Sequence, residues 1–314
     1  MRASARGGCI LEEHVTTDPE HIHLIEEVHG ESVLLMYVEV WDGLYAPIGV
    51  RKPEGDGPFP MVLMAAGNGG EGMRWIRDAV RNRAYTMDRL TDAGMACAWL
   101  RYRTEIELGY NNGGKMVRDQ RQGREMFNRA PLEYEDEIAI ADYLKGLPWV
   151  DENRVGVIGM SHGGEMALKI ASEYHGLAAA VASEPAAHEF LALRPDDTAF
   201  VNEDTGLRNI EEMQMADVEK VRRRIDMETA ATRISTIRTP FLVMGRDDDH
   251  LQGVFRTTYE LMSEAGKDVE WVSYDHGFHG YVFPVRGDGG EYELDDVQAD
   301  AIDHVIGWLK RRMG

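Results

Sequence analysis

Residues 155–168 read VGVIGMSHGGEMAL. A short apolar run enters a serine flanked by glycines, and a helix-forming run leaves it. Gly159-Met160-Ser161-His162-Gly163 fits G-x-S-x-G, and the pattern gains meaning from what surrounds it. A strand before and a helix after require a sharp turn that lifts the serine hydroxyl clear of the sheet, and only small flanking residues let the backbone make it. The amino end of the following helix also favours negative charge developing beside the serine. Ser161 is therefore expected to be a nucleophile rather than an ordinary turn serine.

Outward from that turn, short apolar runs alternate with helical segments. Upstream lie "LLMYVEV" and "YAPIGVRKP", joined at Asp42-Gly43 as a hairpin, then "MVLMAAG", a helix near 74–93, "MACAWL", and a helix near 131–145. Tyr134, Ile138, Ala141 and Leu144 share one face of that helix, and Gly146 and Pro148 stop it. Downstream come "LAAAVAS", "FLVMG" and "VEWVSY", then a final helix carrying Val297, Ile302, Val305, Ile306 and Leu309. Continuous apolar strands between amphipathic helices argue for an α/β fold: a mostly parallel central sheet with helices on both faces, edged by the antiparallel hairpin. Residues 1–32 read as an N-terminal extension and 33–314 as one domain. The long gap at 186–239 reads as a small helical lid, with Ile210, Met213, Val218, Val221 and Ile225 near one face.

The bulk properties exclude several classes. With 43% hydrophobic and 28% charged residues, the composition is that of a soluble globular protein. No apolar run reaches the roughly 18 residues that span a bilayer, and no apolar segment follows the first arginines, so neither a membrane span nor a signal peptide is expected. The two cysteines, Cys9 and Cys97, imply no disulfide framework, and a cytoplasmic location is the expectation. A formal net charge of −21 repels nucleic acid, and the cationic runs at 74–83 and 221–226 are short and mixed with acids. His21 and His23 form an H-x-H pair without acidic or cysteine partners at metal-ligand spacing. "GDGGEYELDD" is an acidic linker rather than a calcium loop.

A serine hydroxyl needs a base, and the base an orienting acid. "GRDDDHL" ends one strand in three aspartates, and "YDHGFHGY" follows the next with two histidines; both belong at the edge of the sheet where Ser161 stands. The chain here resembles the α/β-hydrolases of the prolyl-oligopeptidase and dienelactone-hydrolase branch. The resemblance rests on "WVDENRVGVIGMSHGG", "GRDDDHL", "GFHGY" and the entry "RKPEGDGPFPMVLMAAGNGG", and covers roughly residues 33–314. It implies G-x-x-D-x-x-apolar for the acid loop, which selects Asp248 with Leu251 closing the pattern, and G-x-H-G for the histidine, which selects His279. Asp247, Asp249 and His276 stay open as alternatives. It also implies an oxyanion hole from two backbone amides, His162 and one after "MVLMAAG". The chain departs from the usual His-Gly there, having Ala66-Gly67-Asn68, and Asn68 is the expected second donor.

These residues predict a serine esterase for small to medium acyl groups, working through an acyl-enzyme without metal or organic cofactor, on a small-molecule ester. The 60-odd residues before "MVLM" cannot build the propeller that restricts prolyl oligopeptidases to peptides. An aminopeptidase-like or acyl-peptide hydrolase is the second reading, a lactone hydrolase the third, and a catalytically silent binding module the alternative from another class. Serine at the elbow disfavours aspartate-nucleophile enzymes. Glu184-Pro185, after the "LAAAVAS" strand, reads either as a pocket border or as a structural turn, and Met213 and Met215 as acyl-pocket or helix-packing residues. The lid and the extension could serve a homo-oligomer, but nothing in them sets a symmetry.

Overall fold

A computed structural model describes residues 21–28, 31–40, 43–67, 72–101, 130–194 and 215–314. Among these, nine strands form one sheet: β1 (His21–Val28), β2 (Glu31–Glu39), β3 (Tyr45–Arg51), β4 (Phe59–Ala65), β5 (Ala96–Leu100), β6 (Val150–Met160), β7 (Ala179–Ser183), β8 (Phe241–Arg246) and β9 (Val269–Tyr274). Their order is β1-β2-β3-β5-β4-β6-β7-β8-β9. The first three strands and the β3–β5 pair run antiparallel, and the pairs from β5 to β9 are parallel. β1 falls inside the predicted extension: its eight residues pair with β2 from His21↔Val38 to Val28↔Glu31, so the segment adds an edge strand to the domain.

The helices are α1 (Met73–Asn82), α2 (Tyr85–Asp92), α3 (Ala130–Lys145), α4 (His162–Glu173), α5 (Val218–Arg224), α6 (Met227–Thr236), α7 (Gln252–Glu264) and α8 (Asp296–Met313). The central strands are buried on both faces, and alternation divides their side chains between two cores. Met61, Leu63 and Ala65 of β4, Val155 and Val157 of β6, and Phe241 and Val243 of β8 meet the core beneath α3, α4, α6 and α7. Val62 and Met64, Ile158, and Leu242 and Met244 point the other way, toward α1, α2 and α8. Each fully buried valine, leucine, isoleucine, methionine or phenylalanine contributes about 1.5–3 kcal/mol, which is why the register of these strands is fixed.

Two sequence expectations change. The helix near 74–93 is two helices, and the Ala84 amide between them donates to Tyr292 Oη at 2.8 Å, a partner 208 positions away. Part of the stretch expected as a lid, 186–239, is instead a crossover between strands. Parallel neighbours need a crossover, and α6 supplies it between β7 and β8, with Ala230 and Ile234 buried against the sheet core. Residues 195–214 of that gap, with Ile210 and Met213, lie outside the described residues.

Candidate active site

The carboxyl ends of β4, β6, β7, β8 and β9 lie side by side along one edge of the sheet. Hydrogen bonds tie the loops leaving them sideways: Ser161 N to Ser183 O (2.9 Å), Glu184 N to Met244 O (2.8 Å) and Asp247 N to Tyr274 O (2.9 Å). The loops thus continue the sheet's lateral order past its last residues, and side chains at their tips are held in fixed relation.

Ser161 occupies the one residue between β6 and α4, with φ 57° and ψ −115°. A non-glycine residue in this region is strained, and such strain persists only where the surroundings overdetermine it. Here they do. A Cβ on Gly159 would lie 2.1 Å from Gly163 O, and one on Gly163 would lie 2.2 Å from Ala65 O. Both glycines of the motif are therefore demanded by close backbone approach, the first to α4 and the second to the end of β4. The serine carbonyl accepts from Glu165 N (3.1 Å) and Ala186 N (3.0 Å), which locks the turn. Its side chain makes no capping bond, and the residue is partly exposed.

The His162 amide is the first of α4, where amides have no intrahelical carbonyl. The His162 ring turns inward instead: Nε2 lies 2.7 Å from Glu133 Oε2 and Nδ1 3.8 Å from Glu165 Oε2, with both carboxylates buried. Glu165 also accepts from Glu189 N (2.6 Å) and Phe190 N (2.9 Å), joining α4 to the loop after β7. Burial would raise the Glu165 carboxyl, but Lys169 and His162 hold it down near 2. Asn68, the expected second oxyanion donor, lies outside the described residues. The loop leading to it does face the serine, because a Cβ on Gly67 would lie 3.2 Å from Ser161 Cβ. Buried Arg101 pins that loop, donating from Nη1 to Gly67 O at 3.0 Å while its guanidinium stacks 3.6 Å from the Trp75 ring centre.

His279 follows β9 with its side chain about a third exposed. Its Nδ1 hydrogen-bonds Asp249 Oδ2 at 3.3 Å and lies 3.2 Å from Glu184 Oε1. The acid beside the histidine is thus Asp249 rather than the expected Asp248. Asp248 sits at the apex of the turn, exposed, with φ 62°. Asp249 instead turns inward: its amide closes the turn on Arg246 O (3.2 Å), and its Oδ1 accepts from Leu251 N (2.7 Å). Fully buried, it also receives Arg246 Nε (2.9 Å) and Nη2 (2.7 Å). Burial alone would raise the Asp249 carboxyl; bonds from His279, the Leu251 amide and Arg246 outweigh it and hold the group well below the usual carboxylate range. Burial likewise would lower His279, yet Asp249 and Glu184 together raise it to about 9.

Glu184 was legible only as a turn or a pocket border. It leaves the end of β7 fully buried, with φ 48°. Its Oε2 accepts the Gly280 amide at 2.7 Å. His276, the other histidine candidate, faces away from this acid pair, with Nε2 3.1 Å from Asp295 Oδ2. Glu184, Asp249 and His279 are close enough to hold a metal ion, their ligand atoms lying within 4.8 Å of one another. Arg246, whose Nε lies 3.5 Å from Glu184 Oε1, already supplies a cation at the same two carboxylates, so a divalent ion there would meet repulsion.

The BAAT / acyl-CoA thioester hydrolase C-terminal family matches residues 131–286, and the acetyl xylan esterase (AXE1) family matches residues 50–197. 2,6-Dihydropseudooxynicotine hydrolase of Paenarthrobacter nicotinovorans is 33% identical over 146 residues, which are 45% of this chain and 32% of that protein. The match thus spans about a third of the relative's length. Among solved structures, the esterase of Pyrobaculum calidifontis aligns with a TM-score of 0.58 at 17% identity, over 91% of this chain and 86% of that one. Acetyl xylan esterase 1 of a Thermoanaerobacterium species aligns with 0.58 at 16%, over 95% and 90%. Dipeptidyl peptidase 4 of Porphyromonas gingivalis aligns with 0.59 at 16%, over 93% of this chain but 42% of its own. At these identities the likeness is one of fold. Among the described residues, no helix is long and apolar enough to cross a membrane.

Proposed function

We propose that the chain is a serine hydrolase of the α/β-hydrolase superfamily, and that it cleaves carboxylic esters of small to medium acyl groups through an acyl-enzyme on Ser161. The observation that carries the proposal is the strained Ser161 backbone at the strand–helix junction, on the same sheet edge as a histidine whose Nδ1 faces buried carboxylates. With Nδ1 turned to the acids, Nε2 is left to take the Ser161 proton as Oγ attacks the ester carbonyl. The oxyanion then forms toward the His162 amide and the amide of Asn68. His279 returns the proton to the leaving alcohol, and a water activated by the same nitrogen releases the acid and restores the serine. Asp249 keeps the imidazole in the required tautomer and stabilises the imidazolium.

The match to an acyl-thioester family favours one second reading, hydrolysis of acyl thioesters, since the same serine, base and oxyanion donors serve both. The net charge of −21 counts against a polyanionic thiol carrier as the leaving group. The test is a panel of p-nitrophenyl acetate, butyrate and octanoate, acyl-CoA thioesters and aminoacyl-p-nitroanilides, run on wild type and Ser161→Ala. Ester turnover that falls by about 10⁴–10⁶ in the alanine variant is expected. Equal turnover in the two proteins would end the assignment, and thioester turnover exceeding ester turnover would replace the substrate class.

A further inference from the structure

Loss of the triad acid ordinarily costs a serine hydrolase its base, because nothing else holds the histidine in its working tautomer. This site has a second carboxylate at the same nitrogen. Glu184 Oε1 is 3.2 Å from His279 Nδ1, marginally nearer than Asp249 Oδ2 at 3.3 Å, yet it takes no hydrogen bond among the described residues. A fully buried carboxylate oxygen without a donor is costly, and it is tolerated where a cation faces it. Two groups face it: the guanidinium of Arg246, 3.5 Å away, and the His279 ring, which is a cation when protonated. The other oxygen of Glu184 grips the loop that carries the histidine, at the Gly280 amide. The two acids come from different strands, β7 and β8, and converge on β9's histidine.

We propose that Glu184 is a second orienting acid of the site, a positioning residue that takes the His279 Nδ1–H when Asp249 cannot, so that hydrolysis tolerates the loss of either carboxylate but not of both. The inference rests on Ser161 and His279 being the reacting pair proposed above. A small rotation of the ring moves the Nδ1–H from Asp249 to Glu184, and the proton stays on Nδ1 in either position. The charged groups facing the ring are Asp249 and Arg246 from the end of β8 and Glu184 from the end of β7. Both acids raise the affinity of the imidazole for its second proton, so removing either lowers the pH at which His279 becomes a base.

The test compares Asp249→Asn, Glu184→Gln and the double variant with wild type. Each is assayed for kcat/KM on p-nitrophenyl acetate from pH 5.5 to 10, with ¹⁵N-histidine NMR titration of the ring. Glutamine keeps an acceptor for the Gly280 amide. We expect Asp249→Asn to retain at least tenfold more activity than the double variant, which falls by about 10⁴ as for loss of a sole triad acid. Glu184→Gln should shift the kinetic and NMR titrations of His279 downward in pH, which a merely structural role would not do. If Asp249→Asn is within tenfold of the double variant, or the titration is unmoved by Glu184→Gln, the proposal is overturned. Should Glu184→Gln fail to fold, the ring titration in Asp249→Asn decides: a midpoint still above about 6.5 sustains Glu184 as a partner, and one at or below it does not. Unchanged ester turnover in Ser161→Ala would refute the nucleophile instead, and the ring titrations would still judge Glu184.

Discussion

Gly163 offers the sharpest mechanical test of the site. A methyl at this position would place Cβ 2.2 Å from Ala65 O and 2.7 Å from Ala66 O, both backbone atoms that cannot rotate away. Ordinary contact begins near 3.4 Å, so α4 and the end of β4 must part by about 1.2 Å. That gap separates the segment carrying Ser161 and the His162 amide from the loop leading to Asn68, the two halves of the proposed oxyanion hole. Misplacement of about 1 Å in such a constellation can cost 10² in rate, and overpacking costs about 1–3 kcal/mol of stability. Gly163→Ala is therefore expected to lose about 10² in kcat/KM on p-nitrophenyl acetate, mostly in kcat, with Tm lowered by several degrees. Steady-state kinetics on a folded variant, checked by circular dichroism and thermal melting, reads both. Activity within threefold of wild type, with Tm unchanged, would mean that the close approach does not set the geometry of the site.

Asp248→Asn should leave kcat/KM within about twofold of wild type, since the residue is exposed and asparagine accepts its positive φ readily; a loss of 10² or more would return the acid's role to Asp248. Because His279 is held near 9 and only its neutral ring accepts a proton, kcat/KM should climb from pH 6.5 toward 9 rather than level off near 7.5, as a pH series on p-nitrophenyl acetate would show. The same raised value means that the imidazolium stabilises the fold fully below about 6.5 and progressively less up to about 9, so Tm should decline across that window. Asp249 has the opposite sign: its depressed carboxyl stabilises the fold above the ordinary carboxylate range, and that contribution is lost as pH falls below it. Arg101→Met removes the donor to Gly67 O and should lower kcat by about tenfold, short of the 10²–10³ that deleting an oxyanion donor costs.

Local chemistry made part of this site legible. Ser161 could be read because strand, turn and helix are encoded within fourteen residues, and its glycines answer to contacts the G-x-S-x-G spacing anticipates. His279 likewise follows its strand at the expected place. The acid was different. Three consecutive aspartates are equivalent in composition, and only the point where β8 ends decides among them: Arg246 still belongs to the strand, Asp248 crosses to positive φ at the apex, and Asp249 turns inward. Glu184 was harder still, because its meaning comes from His279 and Gly280, which stand 95 and 96 positions further along the chain. The signal was present in outline, as a carboxylate placed directly at the end of an apolar strand. The edge strand β1 escaped notice because "HIHLIEEV" mixes charge with apolar residues, and its pairing with β2 is a tertiary fact. The crossover helix α6 was absorbed into the lid because periodicity reports an apolar face but not the surface it meets.

Covalent labelling reports on Ser161 without any assumption about the substrate. Wild-type protein is treated with a fluorophosphonate, digested and mapped by mass spectrometry, with Ser161→Ala alongside. A single adduct on the peptide bearing Ser161, absent from the alanine variant, is the predicted result. No adduct, or one carried on another residue and retained in Ser161→Ala, would mean that Ser161 is not the nucleophile.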